Sequence, residues 1–103
     1  MLLLNIVHVP GREIEALGLV TGTVVHSKNF GKDFMAAMKT LVGGEIAGYT
    51  EMLTEARQIA TKRMVDEAEA LGADAVVNIR FGSAAVMQSA AEVLAYGTAV
   101  KFK

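Results

Sequence analysis

Between Ala47 and Leu71 apolar residues recur every three or four positions: Tyr49, Met52, Leu53, Ala56, Ile59, Ala60, Met64, Ala68 and Leu71. That spacing places them on one stripe of a helix of about six turns, with most of the charged residues elsewhere on its circumference. Glu51 and Glu55 put negative charge near its start, where it complements the helix dipole. Gly72 follows the last apolar position and suits the left-handed residue that closes a helix. No other stretch of the chain carries a helical pattern of this length, so one long helix must cover whatever the remaining residues form.

Those remaining residues read mainly as strands. Leu2–Val9 is dense in Leu, Ile and Val and is stopped by Pro10-Gly11, which predicts a first strand closed by a turn. Gly18–Ser27 is rich in Val and Thr and predicts a second. Gly22 inside it marks a bulge or the close approach of another backbone. Asp74–Phe81 predicts a third strand, with Ala75, Val77, Ile79 and Phe81 on one face and Asp74, Val76, Asn78 and Arg80 on the other. Glu92–Phe102 predicts a fourth, while Gly82–Ala91 reads equally as a loop or as a strand extension. Phe30, Phe34, Met38 and Leu41 fall at helical spacing and predict a short helix over about Lys32–Leu41, ended by Gly43-Gly44. The expected architecture is α+β: an antiparallel sheet of about four strands packed by one long and one short helix, in a single domain spanning residues 1–103.

Strands two and four are apolar or small on both faces, whereas an antiparallel sheet with one wetted face alternates apolar with polar. A single helical layer shields one face only. The second face calls for a neighbour, and another copy of the same chain supplies one. A hydrophobic content of 52% points the same way, being above the ~45–50% usual for soluble domains.

Charge excludes several classes of function. Ten basic and eleven acidic residues are spread along the 103-residue chain for a net charge of −1, so no basic stripe exists for a nucleic-acid backbone or an anionic membrane surface. No apolar run reaches the roughly 18 residues of a membrane span. Met1–Ile6 lacks the basic flank and small-residue cleavage site of a signal peptide. The absence of cysteine rules out disulfides, thiolate metal sites and thiol catalysis, and suits a reducing, cytoplasmic setting.

Residues with chemical capacity are few. His8 and His26 each lie in or at the end of an expected strand and are the candidates for a metal held by imidazole nitrogens across paired strands. They form no HxH, HxxxH or HExxH spacing. Glu51 and Glu55, four apart on the long helix, are candidates for acid–base work or for a hard cation, against the plainer reading of solvated helix-start charges. Arg57 beside the apolar stripe and Arg80 in the middle of a strand are candidates for a small anionic ligand. Arg80 calls for a partner, and the expected one is a carboxylate within the chain or across an interface. Gly43-Gly44 lacks the Gly-Lys-Ser/Thr that would make it a phosphate loop. The serines have no His/Asp set around them, and the methionines at 35, 38, 52 and 64 fall on core stripes. An enzyme would need an active site assembled from several chains.

The run from Gly43 to Val77, with Tyr49, Leu53, Ala56-Arg57 and the block Leu71-Gly72-Ala73-Asp74-Ala75-Val76-Val77, resembles the YbjQ-like family of small proteins. Gly22-Thr23-Val24, Phe30, Asp33-Phe34 and Gly97-Thr98-Ala99-Val100 extend the resemblance to nearly the whole chain. It implies an α+β fold with a long helix against an antiparallel sheet, a ring-shaped homo-oligomer, most often a pentamer, and a heavy-metal-binding label without a catalytic motif. Two expectations for function follow. One is a non-enzymatic homo-oligomeric scaffold or binding module. The other is a protein that binds a metal ion or small ligand between subunits.

Overall fold

The structure, a computed structural model, describes residues 1–27, 49–87 and 90–103; side chains are described for all of these except residues 26–27, 49–52, 85–87 and 90–91. The short helix expected over Lys32–Leu41, the Gly43-Gly44 stop and Met35 and Met38 lie outside the described residues. Among the described residues there are four strands and one helix: β1 (Leu2–Leu3), β2 (Ile14–Ser27), α1 (Tyr49–Ala70), β3 (Ala75–Met87) and β4 (Ala90–Phe102). The strands form one sheet in the order β1-β3-β4-β2. β4 pairs antiparallel with both β2 and β3, but β1 pairs parallel with β3, Leu2 opposite Ala75 and Leu3 opposite Val76. The sheet is therefore mixed, where the sequence predicts an antiparallel one.

β1 is also much shorter than the Leu2–Val9 expected for it. After Leu3 the chain stays beside β3 through irregular bonds, Leu4 N–H to the Val76 carbonyl (2.9 Å), Ile79 N–H to Leu4 (3.1 Å) and Asn78 N–H to Ile6 (2.7 Å). It then reaches the expected turn. Pro10 and Gly11 occupy its centre, Gly11 takes φ 78°, and Arg12 N–H closes it onto the Val9 carbonyl at 3.1 Å.

α1 lies mainly across β2 and β4. Its buried row is Ala56, Ala60, Met64 and Ala68, one residue per turn, with Leu53 and Ile59 half-buried beside it. Three alanines in four positions leave the helix backbone close to the sheet, and Gly22 is the point of closest approach. A Cβ there would lie 1.9 Å from the Ala60 carbonyl oxygen. Of the two readings of Gly22, the close approach holds; the bulge of β2 falls instead between Ala16 and Gly18. Val20, Val24, Val76, Val93, Ala95 and Ala99 complete this core from the sheet side. The helix ends as its sequence predicts. Gly72 takes φ 77°, its N–H bonds Glu69 at 2.9 Å, and Ala73 N–H reaches back to Ala68 at 3.1 Å, the paired bonds that satisfy the last carbonyls. Leu71 falls beyond the last helical residue and is exposed rather than part of the stripe.

β3 departs from regular alternation. Val77 pairs with Thr98 and Arg80 with Tyr96, so three steps along β3 match two along β4. The extra residue sits at Asn78, the sole non-glycine with positive φ among the described residues (φ 53°). The side chains that follow it, from Ile79 to Ala84, change face. Ile79 joins Val76 in packing against the helix-side core, and Arg80 joins Val77 on the far side. The expected face set Ala75, Val77, Ile79, Phe81 is thus corrected: Ala75 and Val77 belong to one face, Ile79 and Phe81 to the other.

Among the described residues, the face away from the helix is covered over one half only. Val9, Leu4 and Ile14 pack on Ala75, Val77, Val100 and Phe102, and the Arg12 guanidinium lies 4.4 Å from the centre of the Phe102 ring. Beyond that cover the same face continues through Leu19, Val25, Leu94 and Tyr96, with Leu19 69%, Val25 52% and Tyr96 37% exposed.

Candidate functional site

The residues singled out by sequence do not converge on one centre. His8 lies exposed in the segment that leads to the Pro10-Gly11 turn, beside the core formed by Val9 and Val100. His26 pairs with Ala91 at the far end of β2. About nine residues of β4 separate the two places, on the order of 30 Å along an extended strand. The N-terminal segment and β2 stand on opposite edges of the sheet, so the positions of His8 and His26 do not lie on paired strands within one chain. Glu51 occupies the first turn of α1, and Glu55 one turn later is exposed and lines a shallow depression with Gln58, Ile59, Lys62, Arg63 and Asp66. Among the described residues no three of His, Asp and Glu come close enough to share a metal ion.

Arg57 and Arg80 border one continuous depression. It runs between α1 and the outer side of β3, where β1 and the following residues cease to flank the sheet. One part, of about 870 Å³, is lined by Leu4, Ile6, Thr61, Ile79, Arg80 and Phe81. The next, of about 510 Å³, is lined by Thr54, Arg57, Gln58, Thr61, Val65 and Phe81. Thr61 and Phe81 are common to both, and Phe81 is 51% exposed. The bulge at Asn78 creates this arrangement, because without the extra residue Phe81 would project from the other side of the sheet. Sequence reasoning missed Phe81 as a groove residue for that reason. The available signal was an asparagine, a residue that tolerates the left-handed region, within a run of β-branched residues.

The two arginines are held differently. Arg57 donates to Thr54 Oγ1 at 3.3 Å, one turn earlier on the same helix face. Arg80 donates through one nitrogen to the carbonyls of Asn5 and Ile79, both at 3.0 Å. The carboxylate expected for Arg80 within the chain is absent among the described residues, and backbone carbonyls take its place. Asp74, expected on the same face as Arg80, instead accepts from Phe102 N–H at 2.8 Å and lies 3.8 Å from the Lys101 ammonium.

This combination, a long helix laid across a four-stranded mixed sheet, defines a small α+β class also seen in a crystal structure of a DUF74-family protein of unknown function from Pediococcus pentosaceus. That structure superposes with a TM-score of 0.70 at 13% identity, over 100% of this chain and 98% of the other. Residues 1–103 match the family model of YbjQ, described as "Putative heavy-metal-binding", and the chain belongs to that family. Among its relatives are a UPF0145 protein of Fervidobacterium nodosum, 69% identical over 92% of this chain and 89% of its own length, and one of Pseudothermotoga lettingae, 65% identical over 100% and 98%.

The family description does not fit the donor set of a single chain. Heavy-metal centres favour thiolates or grouped imidazoles. This chain has no cysteine, and its two histidines stand at opposite ends of the sheet. Among the described residues no helix is long and apolar enough to cross a membrane.

Proposed function

We propose that the protein is a non-enzymatic homo-oligomeric binding module whose subunits associate through the uncovered half of the sheet. The observation that carries this reading is the patch Leu19, Val25 and Tyr96, exposed on a face whose other half is sealed by the chain's own N-terminal segment. Apolar side chains of this size gain about 1.5–3 kcal/mol each on full burial. A second copy offers the same chemistry in return. A closed ring, a pentamer in the form the family resemblance implies, would bury the patch on every subunit.

The test is mass in solution. Light scattering after size exclusion should give a multiple of the chain mass at micromolar concentration, and Leu19→Asp with Val25→Asp should reduce it to the monomer while the helical circular dichroism persists. A wild-type monomer at that concentration, or an assembly indifferent to both charges, refutes the reading.

A second reading, a small-ligand site, is supported by the apolar depression that Phe81 and Thr61 share, bordered by Arg57 and Arg80. A metal ion, on this reading, would draw its donors from two subunits, since one chain keeps His8 and His26 apart. Titration calorimetry with Zn²⁺, Cu²⁺ and Ni²⁺ on wild type and on a His8→Ala/His26→Ala variant checks it. Heat that is lost with the histidines supports an intersubunit site, and no heat removes the metal version.

A further inference from the structure

β2 is an edge strand: among the described residues its one strand neighbour is β4. In an antiparallel ladder the residues whose N–H and C=O face the partner alternate with residues whose groups face away. Thr21 and Thr23 are of the second kind, because both use those groups elsewhere. Thr21 N–H donates to Glu67 Oε1 at 3.3 Å, and the Thr23 carbonyl accepts from an Arg63 guanidinium nitrogen at 2.6 Å. Arg63 and Glu67 are four residues apart on α1, so one face of the helix presents both to the strand.

We propose that Arg63 and Glu67 stand in for a neighbouring strand along β2 and keep that edge closed to the β2 strand of a second copy of the chain. An incoming strand would bring to Thr21 and Thr23 the same pair of groups, an acceptor for the N–H and a donor for the carbonyl. The side chains satisfy those groups and occupy the space the strand would enter. The edge needs such cover. Leu19–Val25 (LVTGTVV) is uncharged, lacks proline and is rich in β-branched residues, which are the properties of segments that pair with their own kind. That self-pairing property is why the excluded occupant is a second β2. The device belongs to the edge of the sheet and not to its uncovered face, so it holds whether or not the face assembles.

Two measurements test it. In the wild-type protein, amide hydrogen exchange should be about tenfold slower at Thr21, whose N–H is held by Glu67, than at Thr23, whose outward N–H has no strand beside it among the described residues. In Arg63→Ala/Glu67→Ala, light scattering should show species larger than the wild-type assembly. Adding Thr21→Pro should restore the wild-type mass, since proline on the outward side removes no bond to β4. Arg63→Lys and Glu67→Gln keep a donor and an acceptor and should keep the wild-type mass. Equal exchange at Thr21 and Thr23 overturns the proposal, and that comparison stands even if the double variant fails to fold. A folded double variant with unchanged mass overturns it as well. The wild-type mass from the same run decides the face-to-face assembly separately.

Discussion

Gly22 shows how one absent side chain sets the distance between the layers. A β-carbon there would sit 1.9 Å from the Ala60 oxygen and 2.4 Å from the Met64 nitrogen, both backbone atoms of α1 that no rotamer change can move. Gly22→Ala should therefore cost at least the upper end of the about 1–3 kcal/mol typical of overpacked cores, read as a lowered urea midpoint. A change below about 0.5 kcal/mol would show that the layers slide apart freely. The sequence narrowed Gly22 to a bulge or a close approach, because a glycine within a Val/Thr run has few other purposes, and the structure decides for the second. The role of Arg80 was not. A charged residue in a strand calls for a partner, but spacing cannot reveal that the partners are carbonyls supplied by Asn5 and by its own neighbour.

Among elements, α1 was the most legible and β3 the least. A 3.6-residue period over six turns survives small errors, and the glycine that closes it fixes the end to within a residue. A strand has a period of two, so one inserted residue inverts everything that follows, and the bulge at Asn78 does that to Ile79, Arg80 and Phe81. The inversion depends on a backbone conformation that asparagine and glycine accept and β-branched residues resist. Asn78→Gly should leave stability nearly unchanged, whereas Asn78→Val should lose about 1–2 kcal/mol, measured by thermal or urea unfolding. Equal behaviour of the two variants would mean that the bulge does not depend on φ at this position. The mixed sheet escaped the sequence for a related reason. Leu2–Val9 carries the composition of a strand, but composition does not state the direction of pairing, and only two of its residues enter the ladder.

At the scale of the whole molecule, the candidate site was legible as a list of residues and not as a place. Arg57 and Arg80 border one groove because α1 lies across β2 and β4 and leaves part of β3 open beside it, while His8 and His26 are separated because the sheet order puts their segments on opposite edges. Both outcomes depend on topology, which no local pattern encodes. The parallel union of β1 with β3 has a consequence in time. Hairpin-like neighbours such as β3 and β4 can find each other as soon as both exist, but Leu2 must wait for Ala75, with almost the entire helix-bearing stretch interposed. Residues that leave the ribosome early are thus placed late. Pulse-labelled exchange during refolding should protect the amides of β4 before those of Leu4 and Ile79, and the reverse order would contradict it. Until that last docking, Val77 and Val100 lack the cover of Leu4 and Val9, so the nascent protein spends its most adhesive moments with the whole helix-free side of its sheet open to its neighbours.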